Sequence, residues 1–302
     1  MSLTSILSDK DNQHIRDKFK SEFKHPSIKL EANLLVPPLT NNYGIIGTAF
    51  DYLVRFYLEK KNNTKIETNK WVSENVLSYL NAVLINKPSK LVSINGNMYP
   101  KKELIQKAQL NMTIAKVSHY QYLKDGLLTD NLVNSSIFLA NLDLIKRVGN
   151  VSWILEAVFT EPNGSDIEDL KSLFNLLYTQ NFDASDICYL NPTFGKGSLI
   201  VGGADADFIL DNTLIDVKVT KNLKLTRDYI NQLLGYYILS LIGGINKSNN
   251  KDKIQNIGIY FARHGFLWKA PLSSFGDEKK FNEFKEWFVS ILKNESDSMS
   301  LG

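Results

Sequence analysis

The sequence carries one cysteine, Cys188, in 302 residues. A lone thiol excludes an intramolecular disulfide, a zinc site built on cysteines and a four-cysteine iron–sulfur cluster. No run approaches the roughly 18 apolar residues of a membrane span, so no membrane association is expected. The opening MSLTSILSDKDNQ lacks the basic start and apolar core of a secretory signal, which points to the cytoplasm. There is no internal repeat, no low-complexity linker and no G-x-x-x-x-G-K-[ST] loop. ATP-driven unwinding would therefore need a helicase as a separate protein partner. Charge of one sign is also scarce: 35 basic against 32 acidic residues leave +3. A nucleic-acid contact must then come from a local patch.

What is present is an ordinary globular composition, 43% hydrophobic and 22% charged. The length suits one large domain or two small ones. Helical spacing at Ile15, Phe19 and Phe23 predicts a helix over 11–23, and Pro37-Pro38 break the chain after it. Residues 44–60 are apolar almost all round, as in a buried helix. Further helices are expected over 69–85, 101–124, 129–147 and 167–180. The character changes near Asn191, where the runs SLIVGG, ADFIL and TLIDVKV read as strands. A helix from Arg227 to Leu241, a β-rich run over 256–272 and an amphipathic helix over 277–293 follow. The expected fold is an α/β core with a large helical insertion. Its segments are 1–43 (N-terminal helices), 44–61 (a first core helix), 62–190 (the insertion), 191–275 (the core) and 276–302 (a C-terminal helix).

The stretch from Gly202 to Lys221, GGADADFILDNTLIDVKVTK, carries the chemistry. Asp211-Asn212 between two β-rich runs predicts a two-residue hairpin turn. Counting outward pairs Leu210 with Thr213, Ile209 with Leu214, Phe208 with Ile215, and Asp207 with Asp216. Side chains alternate along a strand, so Asp205, Asp207, Asp216 and Lys218 share one face. Ala206, Phe208, Leu210, Ile215 and Val217 line the other. Directly opposed aspartates repel, and a divalent cation between them removes that cost. Hard oxygen ligands suit Mg²⁺ or Mn²⁺. Lys218 is placed to orient a metal-bound water or to stabilise charge on a phosphate.

The series Asp207 … Asp216-Val217-Lys218 resembles the signature of the PD-(D/E)xK nuclease superfamily. NQLLGYYIL places Gln232 and Tyr236 in the Q-x-x-x-Y pattern of its RecB-like exonuclease branch. GTAFD resembles that branch's G-x-x-x-H helix motif, with Asp51 where histidine is usual. The likeness covers about 44–60 and 198–272. It implies a restriction-endonuclease-like core, a mixed sheet flanked by helices, and metal-dependent hydrolysis of phosphodiester bonds in DNA, in repair, recombination or defence. It implies Asp207 and Asp216 as metal ligands, Asp51 as a third and the Val217 carbonyl as a backbone ligand. Gln232 and Tyr236 would lie along the active site.

Several positions keep two readings. Asp205 fits a bare G-x-x-D, whereas Asp207 opposes Asp216 and is preferred. Asp51 suits either metal ligation or a helix pair with Arg55. Lys221, Lys224 and Arg227 suit phosphate contacts or a solvated basic loop. Glu156 is an extra ligand or a buried carboxylate, and His264 reads as a turn residue. The rivals to a DNA nuclease are an inactive nucleic-acid-binding scaffold on the same fold and an RNA nuclease.

Overall fold

The computed structural model describes residues 2–63, 65–85, 91–94, 96–148, 158, 161–246 and 254–300. In chain order the elements begin with α1 (Leu3–Ser8), α2 (Gln13–Glu22), α3 (Tyr43–Lys61), β1 (Ile66–Thr68) and α4 (Val72–Ile85). The hairpin β2 (Leu91–Ile94) and β3 (Asn97–Pro100) follows, then α5 (Lys101–Asp125), α6 (Asp130–Val148) and α7 (Gly164–Tyr178). The remainder is β4 (Cys188–Leu190), α8 (Lys196–Ile200), β5 (Phe208–Leu210), β6 (Thr213–Lys218), α9 (Arg227–Gly243), β7 (Asn256–Phe261), β8 (Phe266–Pro271) and α10 (Glu278–Ser300). None of the helices among the described residues is long and apolar enough to cross a membrane.

These elements sort into two units. One comprises Met1–Asn33, Thr64–Thr68 and Asp183–Gly302; the other comprises Leu34–Asn63 and Asn69–Phe182. The division differs from the one read off the sequence. The apolar helix α3 groups with the helical segment rather than with the sheet, and the N-terminal helices group with the sheet.

The sheet unit is α/β. Its six-stranded mixed sheet has the order β1-β4-β5-β6-β7-β8. β1 runs parallel to β4 and β6 parallel to β7, and the other pairs are antiparallel. A parallel neighbour needs a crossover, which α9 supplies between β6 and β7. The face bearing Ile209, Leu214, Ile257 and Ile259 is covered by α1, α2, α9 and α10. Aromatic rings join α2 to α10. Phe19 meets Phe284 edge-on at 4.6 Å, and Phe23, just past α2, stacks on Phe281 at 5.2 Å. Each such buried ring contributes roughly 1.5–3 kcal/mol over leaving it exposed.

Two expectations are corrected. SLIVGG is not a strand: its first residues lie in α8, which gives way to a turn at Gly202 (φ +75°) and Gly203 (φ +128°). The Ser198 hydroxyl decides this, because it accepts from Phe194 N–H at 2.8 Å and donates to the Ala204 carbonyl at 2.6 Å. The stretch 62–190 is not wholly helical either. It contains β1, the β2–β3 hairpin and β4.

In the helical unit, α3 is buried on nearly all sides and packs on α5, α6 and α7. The Tyr52 hydroxyl on α3 donates to Asp143 Oδ1 at 3.0 Å and lies 3.1 Å from Ser73 Oγ. A buried phenol needs such partners. Gly126 closes α5 with φ +74°, a left-handed position that favours glycine.

Candidate active site

The hairpin forms with the predicted register over three pairs, and the fourth expected pair, Asp207 with Asp216, lies beyond the ladder. Phe208 pairs with Ile215, Ile209 with Leu214 and Leu210 with Thr213. Its turn rests on Asp211, at φ +51°. The Asp211 carboxylate accepts from the N–H groups of Ser185, Asp186 and Ile187, at 3.0, 2.7 and 3.1 Å. Burial pushes its pKa up, but those three amides outweigh it and hold it below the usual carboxylate value.

The ladder between β5 and β6 stops at Phe208, and Asp207 continues the pairing with its side chain. Asp207 Oδ2 accepts the Val217 N–H at 2.6 Å. The N–H and C=O of one extended residue point to the same edge, so the Val217 carbonyl is turned toward Asp207 too. Asp216 is buried at 4% exposure, on the face that α9 covers. Lys218 lies two residues along the same face, its Nζ 2.8 Å from Asp216 Oδ2.

Helix α9 completes the cluster. Lys218 Nζ donates to Gln232 Oε1 at 2.9 Å, and Gln232 Nε2 donates to the Tyr236 hydroxyl at 3.1 Å. Burial pushes the Lys218 ammonium toward neutrality, but Asp216 and Asp207 outweigh it and hold its pKa above the ordinary lysine value. Tyr236 is shifted well up, first by burial and then by Asp216, Asp207 and Asp205, so its phenol stays protonated. Asp205 therefore lies within electrostatic reach of the cluster as well. It is exposed and bridged to Thr193, whereas Asp207 is half-buried.

Tyr229 was not expected here. Its ring centroid is 4.8 Å from Lys218 Nζ, a cation–π contact. The signal was present in the sequence, because Tyr229, Gln232 and Tyr236 stand at i, i+3 and i+7 on one helix face.

The other expected residues are placed as follows. Lys221 and Lys224 are exposed between β6 and α9. Arg227 is partly spent on the fold, since its Nη1 donates to the Phe23 carbonyl at 2.7 Å. Asp51 stands on α3 in the helical unit, its Oδ2 2.6 Å from Arg55 Nη2. Its Oδ1 is buried without a hydrogen-bond partner among the described residues. The helix pair with Arg55 is thus present, and a metal role for Asp51 rests on the resemblance alone. His264 closes a short 3₁₀ turn between β7 and β8, with Nδ1 3.0 Å from the Asn33 carbonyl. Glu156 lies outside the described residues.

The donor set at the hairpin is two carboxylates and a backbone carbonyl, all hard oxygens. Mg²⁺ commonly takes one or two protein carboxylates and fills its other positions with water and phosphate oxygens. The residues present fit such an ion. Among the described residues, no three His, Cys, Asp or Glu side chains gather to hold a metal by themselves. No known protein family, curated protein sequence or solved structure matches this chain.

Proposed function

We propose that this protein is a metal-dependent nuclease with a restriction-endonuclease-like core, hydrolysing phosphodiester bonds in DNA. One observation carries the reading: the Asp207 carboxylate accepts the Val217 N–H beside Asp216, and Lys218 pairs with Asp216 and is tied to Gln232. Asp207, Asp216 and the Val217 carbonyl would hold Mg²⁺ or Mn²⁺. When bound, such a cation neutralises developing phosphate charge and generates hydroxide from water near neutral pH.

The chain's own residues do the rest. Lys218 keeps its proton and donates hydrogen bonds, either to a phosphate oxygen or to the attacking water. Gln232 spans from Lys218 to Tyr236 and fixes the ammonium on the line between strand and helix. Tyr229 supports the same ammonium from its ring face. Lys221 and Lys224 hold the backbone without reading sequence.

A binding scaffold with the same fold has no use for opposed carboxylates. Titration with Mn²⁺ followed by calorimetry separates the two. The nuclease reading predicts saturable binding that is lost in Asp207→Asn and Asp216→Asn variants of unchanged circular dichroism. Absence of Mn²⁺ binding in the wild type, with or without DNA, supports the scaffold.

A further inference from the structure

The helical unit contains a cavity of about 560 Å³ between α5, α6 and the start of α7, well away in sequence from the hairpin. That volume falls in the range of small-ligand sites. Six of its lining residues are asparagines, and three of these are spent on the fold. Asn42 Nδ2 donates to both oxygens of Asp166, at 3.2 and 2.9 Å. Asn141 Nδ2 donates to the Ile137 carbonyl at 3.0 Å, and Asn163 Oδ1 caps α7 at Ser165 N–H.

Among the described residues, Asn111, Asn131 and Asn134 show no such hydrogen bond. Asn111 stands in α5 and the other two in α6, at helix-interior or first-turn positions where asparagine is a poor choice. Asn134 Oδ1 is buried without a hydrogen-bond partner among the described residues. These amides offer paired donors and acceptors beside the cavity.

The remaining lining narrows the ligand. Ile45, Ile114 and Phe138 supply apolar walls, and Pro162 adds another. The charges are Lys107 against Glu161 and Asp166, a formal balance of 1 − 2 = −1, which disfavours an anion. Apolar walls and amide edges match a flat heterocycle with alternating donors and acceptors. Asparagine pairs with such edges in base recognition, and extruded bases are held between apolar side chains.

We infer that this cavity binds a free, uncharged nucleoside through its base. The inference stands independently of the hairpin chemistry.

The test is calorimetric titration of the full chain with deoxyadenosine, deoxyguanosine, deoxycytidine and thymidine. Glucose and the monophosphate of the best nucleoside serve as comparison probes. At least one nucleoside should bind, more tightly than its monophosphate, and Asn134→Leu and Asn111→Ala should each weaken it by up to about tenfold. Asn111 is half-buried on a helix, so its variant tests the idea even if Asn134→Leu fails to fold. The inference is overturned if no nucleoside binds, if glucose binds in their place, or if a folded Asn111→Ala variant binds as tightly as the wild type.

Discussion

Lys218 Nζ lies 2.9 Å from Gln232 Oε1, and this hydrogen bond joins the strand that carries Asp216 to the helix that covers it. The ammonium has Asp216 on one side, the Tyr229 ring face on another, and Tyr236 beyond Gln232. A buried ammonium costs free energy unless it is paired and hydrogen-bonded, and here it is both.

Gln232 is therefore a positioning residue. Gln232→Leu should lower the cleavage rate by about 10- to 100-fold, the usual cost of losing a supporting hydrogen bond at such a site. Mn²⁺ affinity should stay unchanged, because Asp207 and Asp216 are untouched. Equal loss of Mn²⁺ binding would show that Gln232 acts on the carboxylates instead.

Asp211 should be a stability determinant with a defined pH signature. Its folded pKa is depressed, so its contribution is present above the unfolded value near about 4 and fades as pH falls through the folded value. Asp211→Asn keeps a residue tolerant of the left-handed turn but loses the charge, and should cost about 1–2 kcal/mol at neutral pH. Urea melts of both proteins from pH 7 downward should converge as the acid limit is reached. A constant gap at every pH would refute the assignment.

Gly243 ends α9 where α8 crosses it. A Cβ there meets the Phe194 carbonyl and the backbone nitrogens of Lys196 and Gly197. Backbone atoms cannot retreat as a flexible side chain does, so Gly243→Ala should destabilise by about 1–3 kcal/mol. Gly44→Ala, where nothing lies within 4 Å, is the matched control. Thermal denaturation of the two variants reads the difference directly.

Cys188 is buried in β4, opposite Leu210. Burial, reinforced by the Asp211 charge, pushes its thiol up to about 12. The native protein should resist a thiol-reactive dye at pH 8 and react fully in denaturant. Rapid labelling of folded protein would mean that β4 opens easily.

The hairpin was legible because its signals are local. A turn residue that tolerates positive φ and a strict two-residue period together fix which side chains oppose. Strands β1 and β4 were not, since three residues each are too few for a period. Their pairing of Ile66 with Cys188 also joins distant parts of the chain. SLIVGG failed for a different reason: a short apolar run suits helix or strand alike, and the Ser198 hydroxyl settled it. Within the site, the spacing of Tyr229 to Gln232 and Tyr236 is legible in the sequence but does not by itself mark a site, because aromatic residues on a helix usually belong to the core. The grouping of α3 with the helical unit depends on contacts that no local pattern records.

The central claim is tested most directly by incubating linear, circular and single-stranded DNA with the protein and Mg²⁺ or Mn²⁺. The wild type is compared with the double variant Asp216→Asn/Lys218→Gln. Replacing both charges together with neutral groups of similar shape avoids stranding one buried charge. The account predicts cleavage that requires the metal, stops on chelation and is absent from the folded double variant. Cleavage that persists in the double variant, or a wild type that cuts none of the three substrates, would contradict it.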